Sequence, residues 1–201
     1  GVHSVTLYVD SVQVFNSTTD KVLPDENRMI NGFTDYEELT RTRRLIMRSY
    51  KLPGNRLRLL HPNENRGAVT IDEERDYHFR YVLEDNFGNR RTYQFIVKGK
   101  RQDIPEYKPE ANEMLYWNRT NVIQKPGMEL VVPRYYVYED VPLRTDMRGD
   151  SSHIAFDYIL DAGRTPIHSY CDLSIGLRHM PVADTTKYYI VQKAGKWRSS
   201  M

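Results

Sequence analysis

The chain has 201 residues, and its 29 basic against 27 acidic side chains leave a formal net charge of +2, without the basic excess of a dedicated nucleic-acid binder. No apolar run approaches the roughly 20 residues a helix needs to cross a bilayer, so no transmembrane segment is expected, and no signal peptide is visible. The single cysteine, Cys171, excludes an intrachain disulfide and any multi-cysteine zinc site.

Val2 to Val9 alternates, with Val5, Leu7 and Val9 on one face. Gln13 to Phe15 answers it across Asp10-Ser11, so the spacing predicts a hairpin. Pro24-Asp25-Glu26-Asn27 reads as a loop. Asp35-Tyr36-Glu37-Glu38 has the form of a helix start, with Asp35 as N-cap and an acid three residues on, and the helix should end near Arg44. Lys51-Leu52-Pro53-Gly54-Asn55-Arg56 turns sharply, His61 to Gly67 reads as another loop, and Ala68 to Ile71 as a short strand. The clearest signal follows. Phe79, Tyr81 and Leu83 share one face of an alternating run, Asp85-Asn86-Phe87-Gly88-Asn89 interrupts it, and Tyr93, Phe95 and Val97 share one face of the next. That is an antiparallel hairpin with one buried face, and Gly88 or Asn89 supplies the positive φ of its turn.

Lys100 to Ala111 changes character. It carries Pro105 and Pro109, mixes charges and lacks apolar periodicity, so it reads as a linker. The second half opens at Glu113 to Trp117. Lys125-Pro126-Gly127 is a turn before Met128 to Pro133, and Tyr135 to Tyr138 leads to an acidic turn at Glu139-Asp140. Met147 to His153 reads as a polar loop, and Ile154 to Leu160, Ser169 to Ile175 and Lys187 to Lys193 as strands. The expected organisation is all-β: two Ig-like β-sandwich domains in tandem, with one short helix in the first. Residues 1–99 form the first domain, 100–112 the linker and 113–201 the second. Fifteen tyrosines suit such pleated, half-buried surfaces.

Several phrases of the chain resemble one family. In the first half they are Gly1-Val2-His3-Ser4-Val5, Asn27-Arg28-Met29-Ile30-Asn31, Asp35-Tyr36-Glu37, Leu52-Pro53-Gly54-Asn55, Asn65-Arg66-Gly67 and Asp85-Asn86-Phe87-Gly88-Asn89. In the second they are Val131-Val132-Pro133, Tyr138-Glu139-Asp140-Val141, Thr165-Pro166-Ile167-His168 and Lys187-Tyr188-Tyr189-Ile190. Their order and spacing resemble the C-terminal noncatalytic region of Bacteroidetes LytM/lysostaphin-type zinc metalloendopeptidases, which act on peptidoglycan. The resemblance implies a chain that starts inside the first sandwich and stops before the last strands of the second. It also implies a zinc-bearing catalytic domain elsewhere in the same polypeptide, and a place in the bacterial cell envelope, periplasmic or outer-membrane associated. That catalysis needs a His-x-His pair among its zinc ligands. His3, His61, His78, His153, His168 and His179 contain no such pair, so no catalytic residue and no cofactor is carried over to this chain.

Other constellations weigh little as chemistry. His168 and Cys171 would point to opposite faces of a strand. Gly149-Asp150-Ser151 lacks the apolar strand that presents a nucleophile. The sequons at Asn16 and Asn118 carry no meaning in a bacterial protein. Arg41, Arg43, Arg44 and Arg48 form a basic cluster, read first as a solvated face balanced by Glu37 and Glu38, with contact to an anionic envelope polymer or a carboxylate partner as the functional alternative. Trp117, Tyr135, Tyr136, Tyr138 and Trp197 are read first as core. Exposed, they would form a sugar-stacking platform, with Tyr136 and Tyr138 on one strand face and Tyr135 and Val137 on the other. Trp117, Tyr136, Tyr138, Arg41 and Arg44 are therefore the candidate partner contacts. The functional expectation is an accessory region that presents the zinc domain to peptidoglycan or an envelope protein. The rival is an independent glycan- or peptide-binding module.

Overall fold

The computed structural model describes residues 1–106, 108–150, 152–181, 183–194 and 197–200, with residues 193, 194 and 197–200 described by backbone alone. The chain is all-β with short helices. Strands β1 (Val2–Val9) and β2 (Val12–Thr18) form the first hairpin. Asp10 and Ser11 take φ of 49° and 71° at its tip, the handedness that lets two-residue turns match twisted strands. The Asp10 carboxylate then holds the neighbouring strand, accepting from the His78 amide at 2.9 Å and Arg75 Nη1 at 2.6 Å. Those two contacts lower its pKa.

Strand β3 (Leu60–Pro62) pairs with β2, while β4 (Asp76–Asp85) and β5 (Arg90–Lys98) follow on the other side of β1. The result is one five-stranded antiparallel sheet in the order β3-β2-β1-β4-β5. Register pairs Phe79 with Phe95 and Tyr81 with Tyr93, as the alternation requires. At the tip Gly88 has φ +82°. The Asp85 carboxylate closes the loop by accepting from the Phe87 and Asn89 amides at 2.8 and 3.0 Å.

Leu7, Val9, Phe15, Leu60 and Tyr77 supply the sheet side of the first core. The opposing layer is made by loops and helices, through Met29, Leu52 and Leu57 with Ile30 and Phe33. Helix α1 (Ile30–Phe33) has no counterpart in the sequence reading; α2 (Tyr36–Thr42) has, with Asp35 Oδ1 accepting from the Glu38 amide at 3.0 Å. Arg43 ends α2 in the left-handed region, φ 65°, so its amide still reaches the Leu39 carbonyl.

Several local expectations are corrected. The covering layer reaches Tyr81, whose hydroxyl meets Ser49 Oγ at 2.7 Å, while on β5 Val97 packs against the first core but Tyr93 and Phe95 do not. Tyr93 and Phe95 are 53% and 46% exposed, so the buried face predicted for this hairpin continues onto β5 at Val97 but not at these two rings. Ala68 to Ile71 is not a strand. Arg66 and Gly67 turn the chain with positive φ, and the ladder to β2 is taken by Leu60–Pro62 instead. Tyr135 to Tyr138 is a loop as well. Pro133 cannot donate to a ladder, and Tyr135 at φ 67° ends the extended run.

The second half holds β6 (Glu113–Leu115), β7 (Asn121–Lys125), β8 (Met128–Val132), β9 (Val141–Arg148), β10 (Asp157–Asp161) and β11 (Asp172–Ile175). They form two three-stranded sheets, β10-β9-β6 and β11-β8-β7. Leu115, Ile123, Val132, Val141 and Leu143, drawn from both, share the second core. Strand β9 takes in Met147 and Arg148, which were expected in a loop, and its buried alternation is Val141, Leu143, Thr145. Asn112 pins the end of the connecting segment to β9, accepting from the Thr145 amide at 2.7 Å and donating to its carbonyl at 2.8 Å. A last hairpin joins β12 (Val191–Ala194) and β13 (Trp197–Ser200). No helix among the described residues is long and apolar enough to cross a membrane.

Candidate functional site at the seam of the two halves

Tyr138 belongs to the second half of the chain but is buried, 3% exposed, in the core of the first. Its neighbour Val137 lies in the second core, so two adjacent residues feed two cores. The Tyr138 hydroxyl donates to the Arg28 carbonyl at 2.8 Å and lies 3.3 Å from His168 Nδ1. Its backbone carbonyl accepts from the Gly54 amide at 2.7 Å. Burial pushes the phenol up to about 12, which keeps the donor proton in place. Two glycines make the room. A Cβ on Gly32 would lie 2.8 Å from Tyr138 Cδ2, and one on Gly54 would lie 2.9 Å from the Val137 carbonyl. Asn55 ties the receiving loops together, donating to the Met29 carbonyl at 3.1 Å and accepting from the Leu57 amide at 3.0 Å.

Around this anchor the loops assemble arginines and aromatic rings. The Arg28 guanidinium lies over the Tyr170 ring at 5.1 Å and donates weakly to the His168 carbonyl at 3.4 Å. Arg56 and Arg134 both stack on Tyr135, at 4.9 and 4.4 Å, and Tyr135 is tilted against Trp117 at 6.0 Å. His168 sits edge-on to Tyr136 and Tyr138. Its pKa is lowered by burial first, then by Arg56 and Arg28, with Asp25 opposing. Arg28, Arg56 and Arg134 have no carboxylate partner among the described residues. Arg58, close by, is spoken for. It grips the buried Glu26 with Nε to Oε1 at 2.8 Å and Nη2 to Oε2 at 3.2 Å. That fork, with the Leu23 amide, holds Glu26 at about 2.

Of the residues singled out from sequence, Trp117 and Tyr136 border this patch, half-buried against the second core. Tyr138 is interior, so the shared strand face expected for Tyr136 and Tyr138 is absent. Trp197 has its side chain outside the described residues. Arg41 and Arg44 lie apart, at the end of α2. Arg41 pairs with Glu38, and neither shares a hydrogen bond or ring contact with the aromatic set among the described residues. Arg28, Arg56, Arg134 and Tyr170 were not legible as a group. They come from a 3-10 turn (Asn27–Met29) and three loops, and only the adjacency of Arg134 and Tyr135 hints at a stack.

The remaining motifs resolve locally. Cys171 packs against the second core, where burial raises its thiol pKa. Asp150 accepts from the Ser152 amide at 2.8 Å and hydroxyl at 2.6 Å and contacts His153 Nδ1 at 3.0 Å, a closed polar turn; Ser151 lies outside the described residues. A cleft of about 880 Å³ opens elsewhere between the halves, lined by Tyr36, Glu37, Arg48, Glu139, Arg144 and Asp161 among others. Its charges are of both signs, and Arg144 and Asp161 pair at 3.2 Å. No group of three or more potential metal ligands occurs among the described residues.

Residues 112–201 match the Zu5-like domain family. The match begins at Asn112, the residue that pins the connecting segment to β9, and spans less than half of the chain. No curated protein and no solved structure gives a significant match.

Proposed function

We propose that the chain is a noncatalytic accessory region of an exported cell-wall metallopeptidase, holding a zinc domain of the same polypeptide against peptidoglycan or an envelope partner. The observation that carries this reading is where the family-like phrases fall in space. Asn27-Arg28-Met29-Ile30-Asn31, Leu52-Pro53-Gly54-Asn55, Tyr138-Glu139-Asp140-Val141 and Thr165-Pro166-Ile167-His168 are dispersed along the chain. They nevertheless meet in the seam. Asn55 bonds Met29, Gly54 bonds Tyr138, Tyr138 bonds Arg28, and Arg28 reaches His168 across 140 positions. Short phrases scattered in sequence but interlocked in one contact network are what a specific two-lobed body requires. A body whose lobes are keyed together suits positioning better than a flexible tether would. The Zu5-like match supports treating the second half as one unit. The rival reading, an independent glycan- or peptide-binding module, draws on the arginines of the patch that have no carboxylate partner among the described residues.

The test has two arms. The purified chain is incubated with peptidoglycan, released muropeptides and bound zinc are measured, and the native reading frame upstream of Gly1 is determined. No release, no stoichiometric zinc and an upstream domain with a His…Asp and His-x-His set are expected. Chelator-sensitive release by this chain, or an upstream frame without such a domain, overturns the reading.

A further inference from the structure

We infer that the seam patch of Arg28, Arg56 and Arg134 is a docking surface for an acidic peptide segment of a partner protein, recognised through its carboxylates. All three arginines are exposed, and none has a carboxylate partner among the described residues, whereas Arg58 and Arg144 each have one and Arg75 has two. Each lies over a tyrosine ring, Arg28 on Tyr170 and both Arg56 and Arg134 on Tyr135. A tyrosine ring beneath a guanidinium restricts its side chain and leaves N–H groups for a carboxylate, with one Arg28 N–H already shared weakly with the His168 carbonyl, so less side-chain freedom is lost on binding. The same stacking argues against a neutral sugar. Two guanidiniums lie over the Tyr135 ring that a pyranose would need, and Trp117 is half-buried against Tyr135. The nearby acids form no ion pair with these three arginines among the described residues. Asp140 Oδ1 accepts from the Trp117 amide at 3.3 Å, Glu26 is held by Arg58, and Asp25 acts on Arg58 and His168. This inference goes beyond the accessory role and does not depend on it.

The experiment is fluorescence anisotropy of the full chain with a short labelled Glu-Ser peptide, its Gln-Ser counterpart, and polygalacturonate as an anionic glycan competitor. Binding should be confined to the Glu-Ser peptide and should weaken with salt. Arg56→Gln combined with Arg134→Gln should weaken it about tenfold, since each exposed charge pair is worth up to about fivefold. The corresponding Lys pair should retain part of the affinity, and Arg41→Gln with Arg44→Gln should change nothing. Thermal melts should be unmoved by all of these exposed substitutions. Absence of Glu-Ser binding, equal binding of the Gln-Ser peptide, an equal loss in the Arg41/Arg44 variant, or preference for polygalacturonate would each overturn the assignment.

Discussion

Removing the Tyr138 side chain should loosen the first half of the molecule although Tyr138 belongs to the second. The ring is 3% exposed among Met29, Leu52 and Leu57 of the first core, and truncating a buried aromatic to Ala costs about 3–5 kcal/mol. The substitution also strips the Arg28 carbonyl of its 2.8 Å donor, adding about 1 kcal/mol. At roughly 2–4 °C per kcal/mol for a chain of this size, Tyr138→Ala should lower the melting temperature by about 8–24 °C. Tyr138→Phe keeps the ring and loses the hydroxyl bond alone, so it should cost about 1–2 kcal/mol. Urea denaturation gives the free energies. Hydrogen exchange locates the damage, and the Gly54 amide, which donates to the Tyr138 carbonyl at 2.7 Å, should exchange faster in the Ala variant than in wild type. An Ala variant that melts within about 2 °C of wild type, or whose exchange rises only in residues 113–192, would refute the claim that this side chain keys the halves together.

Two further outcomes follow from the same contacts. Limited trypsinolysis should cut first at the exposed Lys100, Arg101 or Lys108, and the nicked halves should co-elute on gel filtration until Tyr138→Ala separates them; preferred cutting inside 1–99, with this stretch protected, would show the boundary to be wrong. Glu26 is held below its usual 4.5 at about 2, so its contribution is fully present above pH 4.5 and is lost as pH falls toward 2. Melting temperatures of wild type and Glu26→Gln should therefore differ most above pH 4.5 and converge toward pH 2, and a gap independent of pH would rule out ionisation of Glu26 as the source.

What the sequence alone determined is local. The Asp10-Ser11 hairpin, the Asp35 cap with Glu38 on it, the Gly88 turn and the Gly127 turn each depend on residues a few positions apart, where alternation, capping and positive φ are decided by short-range sterics and hydrogen bonds. Even there, pattern misled where a non-local partner was missing. Tyr93 and Phe95 alternate like core residues, but both stay exposed while Val97 on the same face packs against the first core. Val141, Leu143 and Thr145 alternate just as well, yet Pro142 and the interleaved charges hid β9. Tertiary structure alone decided the seam. Tyr138 is interior because Gly32 and Gly54, far upstream, leave space for its ring and its backbone. With the phenol turned inward, the loops around it close, and Arg28, Arg56 and Arg134 are left together at the surface with tyrosines beneath them. Neither the space nor the juxtaposition is a property of any segment. Both arise only when two cores, built from opposite halves of the chain, exchange a side chain.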